Sequence, residues 1–404
     1  MNAPLSKKLN EVKWGEFKIG DLFEKQKLKF KKGKFDKEKD VSRILTEEYS
    51  LPLVNAKDGD NGIMYYGRPE DFENVEMSID IVNDGAVSTG NVYSQPQKTG
   101  VLYNAYLIKS KFELNFSQLH FFTTTIQKSI KLKFSYELKA SWERVKEEFI
   151  QLPEKNDGNI DFDFMEAFIR ELEEERIREL AAYLKVSGFD NYKLSKCESE
   201  ALAHFNELKW KEFNLIDIFD VKNTHNILSN EIKKDSGNVP YLCASSVNNG
   251  VSSYISYKEE LVEKGNCIFI GGKTFVVSYQ EKDFFSNDSH NLALYVKDLQ
   301  PTKLNQLYLA TCVYKGLSHK YTWGDSISGA KIKSDKIMFP IASDGSPDYS
   351  FMETFISAVQ KLVIKDVVLY ADKKIAATKQ AVHKNPSDYK TSEGFGALKV
   401  AEHN

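Results

Sequence analysis

Cysteine is scarce in this 404-residue chain, and the four present (Cys197, Cys243, Cys267, Cys312) are scattered, with no C-x-x-C pair. That pattern excludes a zinc ribbon or a dithiol redox motif. It points to a reduced compartment without structural disulfides, where most of the four serve as small buried hydrophobes. Long apolar runs are also missing. The run Cys267-Ile268-Phe269-Ile270 is typical, far short of a bilayer span. The opening Met1-Asn2-Ala3-Pro4 turns charged with no apolar core behind it, so no signal peptide is expected, and a cytoplasmic location is. The seven histidines show no H-E-x-x-H or other metal spacing.

Catalytic signatures are equally thin. Gly272-Lys273-Thr274 resembles the end of a phosphate-binding loop, but Cys267 stands where its earlier glycine belongs, so a glycine turn is the better reading. There is no G-x-S-x-G elbow, no Asn/Asp-Pro-Pro-aromatic motif and no Pro-Asp…Asp/Glu-x-Lys nuclease pattern. No catalytic residue and no metal ligand is assigned. A stand-alone nuclease or methyltransferase is the alternative from the enzyme class, and a scaffold that binds no DNA is the alternative from the interaction class.

What the chain does have is segregated charge. The net charge is −3, yet residues 25–34 read KQKLKFKKGK, with six lysines in ten positions. Residues 109–146 hold eight Lys/Arg against three acidic residues, whereas residues 157–200 hold twelve acidic against six basic. The first two regions suit a polyanion and the third does not.

The chain also repeats itself. Trp14-Gly15-Glu16-Phe17 through Asp21-Leu22-Phe23 recurs as Trp210-Lys211-Glu212-Phe213 through Asp217-Ile218-Phe219, an offset of 196. Pro52 and Asn61-Gly62 recur as Pro240 and Asn249-Gly250 at offset 188, and Gly85 as Gly272. Each half then closes alike: Leu152-Pro153, Gly158, Asp161 and Phe164-Met165-Glu166 match Phe339-Pro340, Gly345, Asp348 and Phe351-Met352-Glu353, all at offset 187. Six features in one order mark a duplication.

Between opening and closing, each half reads as short strands punctuated by Asp58-Gly59, Asn61-Gly62, Asp84-Gly85 or Asn249-Gly250, with helices around Phe116–Ile130 and Leu304–Tyr314. After the closing proline the period becomes 3.6. Asp161 and Asp348 sit at N-cap positions ahead of two long amphipathic helices. Their stripes run through Met165, Phe168, Ile169, Leu172 and Leu180, and through Met352, Phe355, Ile356, Val359 and Val363. Two such helices are expected to pair as an antiparallel coiled coil. The fold class is therefore α+β: a recognition domain over 1–151, a helix and linker over 152–205, a second domain over 206–339, a second helix over 340–381, and a disordered tail over 382–404.

Candidate phosphate ligands are Lys25, Lys27, Lys29, Lys31, Lys32 and Lys34, with Phe30 and Phe35 interleaved. Asn55, Lys57, Asn61, Tyr65, Asn91 and Tyr93 follow in turn-rich text of the first half. The second half offers Ser245, Ser246, Asn248, Lys273 and Thr274; Asn can read adenine and Lys can read guanine. Lys133 and Arg144 in one half, and Lys320, Trp323 and Lys331 in the other, complete the candidate interface.

The order of repeated domain, proline and long helix resembles the specificity subunits of type I and type IIB (BcgI-like) restriction–modification enzymes, over roughly residues 12–378. The W-x-E-F-x-(I/L)-x-D-(L/I)-F openings and P-x4-G-x2-D-x2-F-M-E-x-F-I closings carry it. The resemblance implies two half-readers of a split double-stranded DNA site, paired spacer helices, and docking of methyltransferase or nuclease–methyltransferase subunits. S-adenosylmethionine and magnesium would belong to those partners, with no cofactor in this chain and no membrane association.

Overall fold

The computed structural model describes residues 3–383; the tail expected to be disordered lies outside the described residues except for its first two positions. The chain divides into two units, one of residues 1–180 with the stretch from Lys374 onward, the other of Ala181–Lys373.

In the first unit the strands are β1 (Trp14–Lys18), β2 (Phe23–Lys25), β3 (Val41–Ser42), β4 (Leu51–Val54), β5 (Ile63–Gly67), β6 (Ser78–Val82), β7 (Val92–Gln95), β8 (Gly100–Val101), β9 (Ala105–Ser110) and β10 (Phe149–Pro153). One antiparallel sheet runs β2-β9-β6-β7 and a second sheet runs β3-β5-β4-β8. The opening motif pairs with the closing motif: β1 lies antiparallel to β10, with Trp14 opposite Pro153. The sequence ends of the domain are thus stitched together, which is why both motifs survive in both halves. The helix Phe116–Ile130 covers the first sheet. Its N-cap Asn115 accepts the Gln118 N–H at 2.9 Å, while Gln118 accepts the Asn115 N–H. Phe23, Phe122, Ile79, Ile81 and Ile108 fill the core between sheet and helix. Each large side chain buried there contributes about 1.5–3 kcal/mol.

The second unit repeats this plan. Its strands are β11 (Trp210–Asn214), β12 (Phe219–Asn223), β13 (Val239–Leu242), β14 (Val251–Ile255), β15 (Cys267–Ile270), β16 (Val277–Gln280), β17 (Phe285–Ser286), β18 (Leu292–Val296) and β19 (Lys336–Pro340). The orders β12-β18-β15-β16, β14-β13-β17 and β11-β19 match the first unit strand for strand; only β3 lacks a counterpart among the described residues. Trp210 again faces Pro340. The covering helix, Lys303–Leu317, is slightly longer than its apolar pattern indicates and is capped by Thr302.

Two long helices follow, Phe162–Val186 and Tyr349–His383. Asp161 and Asp348 do cap them, accepting the N–H of Phe164 at 3.0 Å and of Phe351 at 2.9 Å. Two shorter helices, Ala3–Glu11 and Lys196–Ala203, were not expected from the sequence. The second was legible: Ser195-Lys196-Cys197-Glu198 is a capping-box signature, and Ser195 and Glu198 make both bonds of that box. The expectation for cysteine needs correction. Cys267 is buried, but Cys243 and Cys312 are half-buried and Cys197 is exposed. Burial pushes the thiols of Cys267 and Cys312 up to about 12, so neither is a thiolate.

Candidate nucleic-acid interface

From β2 onward the lysine run is an extended edge segment. The backbone N–H of Lys31 donates to Asp71 O at 2.7 Å and that of Glu73 to Lys29 O at 2.9 Å. Exposure alternates along it: Lys25, Lys27, Lys29 and Lys31 are exposed, while Gln26, Leu28 and Phe30 are partly buried. The period-two pleat therefore puts one lysine face outward. Lys25 lies over the Tyr106 ring at 4.9 Å, and Lys32 pairs with buried Asp71 at 2.6 Å. The ammonium groups of Lys27, Lys29, Lys31 and Lys34 have no ion-pair partner among the described residues. Phe30 and Phe35 do not belong to that face. They pack edge-on to each other at 5.5 Å and against Phe72, as the core of the second sheet.

The polar candidates nearby are largely committed internally. Asn91 is buried and donates to Asp58 at 2.8 Å and to the Tyr93 hydroxyl at 2.9 Å. That hydroxyl also accepts the Gly59 N–H. Lys57 donates to Ile63 O and pairs with Asp60 at 2.7 Å. Asn55 is buried, with its amide nitrogen 3.6 Å from the Met64 sulfur. Tyr65 is buried beneath Lys37 and Arg43; the hydrogen bond with Lys37 holds its hydroxyl below the ordinary phenol value. Asn61 adopts the left-handed conformation (φ 54°) and donates to Ser94 O at 2.8 Å. These residues shape the loop between β4 and β5 and fix it to β7.

In the second unit Ser246, Asn248, Lys273 and Thr274 are exposed, and Ser245 is half-buried. Thr274 donates to Ala244 O at 3.0 Å, joining the turn after β15 to the loop after β13. This brings the candidates from the two loops together, and the Gly271-Gly272 stretch serves as the glycine turn the sequence indicates. Lys273 lies 3.6 Å from Asp288. Further along, Lys133 pairs with Glu148, Lys320 with Asp335 at 3.1 Å, and Lys331 with Asp325. Arg144 donates to Lys139 O at 3.0 Å.

The first turns of the long helices belong to their own domains. Met165, Phe168, Ile169 and Leu172 join the core of the first unit, and Met352, Phe355 and Ile356 that of the second. Leu180 and Val359 are half-buried. Beyond Phe355 the buried face runs through Ala358, Val368 and Ala371, and Val363 is left 75% exposed. The reason is that Val359–Leu369 is apolar nearly all round, so two stripes fit its period. Glu198 of the short helix Lys196–Ala203 anchors that surface, accepting from Ser357 at 2.6 Å and Lys361 at 2.8 Å. Burial opposes its charge, but the bonds from Lys361, Ser357 and Ser195 outweigh burial and hold its carboxyl at about 2. Glu173 and Lys374, 3.9 Å apart, pair within the first unit.

Among the described residues no group of three His, Cys, Asp or Glu side chains is placed to hold a metal ion, and no helix is long and apolar enough to cross a membrane.

The family model for the type I restriction modification DNA specificity domain matches twice, over residues 11–182 and 207–369. The specificity subunit S.BcgI of a type II restriction enzyme from Heyndrickxia coagulans is 25% identical over 368 residues, covering 88% of this chain and 97% of that protein. The crystal structure of a type I restriction-modification S subunit from M. genitalium superposes with a TM-score of 0.53 at 15% identity, covering 92% of this chain and 94% of that one.

Proposed function

Because the chain belongs to the type I restriction–modification DNA specificity family and carries that domain twice, we propose that each unit reads one half of a bipartite duplex site. The chain is a specificity subunit, which recognises DNA and leaves the chemistry to other subunits. One observation carries the two-reader reading. The units share strand order, capping and opening-to-closing pairing, yet differ in the loops those strands present. A common scaffold with unlike loops is what two unlike half-sites require.

The exposed lysine edge of the first unit supplies sequence-independent attraction to phosphate. The loops after β4 and β6, with those after β13 and β15, are the places from which bases are read. The long helices pair antiparallel and set the half-site spacing, as apolar stripes on both allow. Methyltransferase or nuclease–methyltransferase subunits dock on the helices and hold the S-adenosylmethionine and magnesium. The protein works in the cytoplasm, where its DNA is.

Methylation mapping tests this reading. The gene, with its neighbours, is placed in a host lacking adenine methylation, and modified bases are read by single-molecule sequencing beside a deletion control. A split motif that disappears in the control is expected, and exchanging residues 1–150 for those of a relative should change one half of it only. No motif in either strain, with the neighbours soluble, would overturn the reading.

A further inference from the structure

Behind each covering helix the chain makes the same small hairpin. In the first unit Ser135-Tyr136-Glu137-Leu138 turns back on itself, with the Ser135 N–H donating to Leu138 O at 2.9 Å. In the second, Thr322-Trp323-Gly324-Asp325 does so through paired bonds of 3.2 Å. The two match at offset 187, and so does everything that holds them. Phe134 and Ala140 are buried on either side of the first tip, and Tyr321 and Ile327 on either side of the second. Arg144 donates to the carbonyl of Lys139, and Lys331, the equivalent residue, to the carbonyl of Ser326, the equivalent position, at 2.8 Å. Lys133 with Glu148 and Lys320 with Asp335 are equivalent ion pairs beneath.

All this machinery presents one aromatic ring. Tyr136 is 68% exposed and Trp323 72% exposed. Leaving a large ring in water forgoes the burial free energy that ring would otherwise supply. A feature kept alike in two halves whose reading loops differ cannot read differing bases; it does what both halves need. The surroundings say what that is. Residues 128–146 carry six cations and two carboxylates, and residues 315–333 four cations and one carboxylate, in a chain of net charge −3. A clamped aromatic in a basic field suits a polyanion with stackable faces.

We propose that Tyr136 and Trp323 are equivalent, sequence-independent DNA contacts, each ring laid against or wedged between bases of its half-site. Arg144 and Lys331 are positioning residues that hold the tips rather than phosphate ligands. The inference rests on the DNA-reading function above and adds an interaction that none of the base-reading loops supplies.

The test uses the full chain and a fluorescein-labelled duplex of mixed sequence, with anisotropy read across a range of low salt concentrations. Tyr136→Ala and Trp323→Ala should each weaken binding about tenfold, and together multiplicatively, at unchanged melting temperature. Tyr136→Phe and Trp323→Phe should restore it. The slope of log K against log salt should stay that of the parent, because a ring neutralises no phosphate. Alanine variants that bind duplex as the parent does would overturn the inference and leave the tips as protein-docking points. A parent chain that binds no duplex even at low salt would overturn the DNA reading itself, a distinct result.

Discussion

Asn61 and Gln95 clasp one another across two strands: the Asn61 amide donates to the carbonyl of Ser94, and the Gln95 amide donates back to the carbonyl of Asn61 at 2.7 Å. The second unit repeats the clasp with Asn249 donating to Tyr279 O and Gln280 donating to Asn249 O, both at 3.0 Å. Both asparagines are left-handed, at φ 54° and 51°, a conformation Asn adopts at less cost than Ala. Asn61→Ala should therefore lose a part-buried hydrogen bond and gain backbone strain, costing roughly 1–2 kcal/mol. Asn61→Gly relieves the strain and should fall between. Thermal melts followed by circular dichroism decide it; an unshifted melt for Asn61→Ala would mean that the amide is free to meet DNA.

The lysine edge makes a prediction of a different kind. Lys27, Lys29, Lys31 and Lys34 are exposed and unpaired among the described residues, so changing all four to Ala should weaken binding to any duplex alike. The salt slope should shrink by about 0.9 for each phosphate that the variant no longer neutralises. Lys32→Ala should instead act mainly on stability, since its partner Asp71 is fully buried. Equal slopes for parent and quadruple variant would remove this edge from the interface.

How far the sequence foretold this depends on whether a residue's partner lies at a readable spacing. Asp161 and Asp348 were legible as caps because a cap bonds three residues ahead. The duplication was legible because Trp14 and Pro153 each recur, although nothing in their spacing says that they face each other. The clasp of exposed Asn61 with Gln95 was not legible, because Gln95 recurs at offset 185 while Asn61 recurs at 188. Phe30 read only as interleaved with the lysines because alternation alone does not say which side of a pleat meets protein. Val363 lies in a stretch apolar on two faces, so periodicity alone does not say which face the structure buries; it leaves Val363 exposed.

Glu198 should hold the second unit together in a pH-dependent way. Its carboxyl sits at about 2, below the ordinary 4.5. Its stabilisation is therefore full above the unfolded value and fades as pH falls from 4.5 towards 2. Glu198→Gln should lower the melting temperature at pH 7, at a cost on the order of 1–3 kcal/mol for the disrupted bonds to Lys361 and Ser357. Parent and variant should converge as pH approaches 2. A constant gap between their profiles would show that packing, not charge, is what Glu198 contributes.

Asp80 should act with the opposite sign on the first unit. It lies in the middle of β6, fully buried, with neither carboxylate oxygen hydrogen-bonded. The matching position in the second unit, between β16 and β18, is Phe269. Burial drives its carboxyl well above the ordinary 3.8. Below that ordinary value both folded and unfolded chains are protonated and nothing is lost. As pH rises past it, the unfolded chain ionises while the folded one keeps its proton, so stability falls until the folded value is reached and then stays flat. Asp80→Asn cannot ionise. The variant should melt close to the parent near pH 4 and gain on it as pH rises, until the folded carboxyl ionises, measured on the first unit's transition. Parallel profiles above pH 4 would mean that the folded site already accommodates the charge.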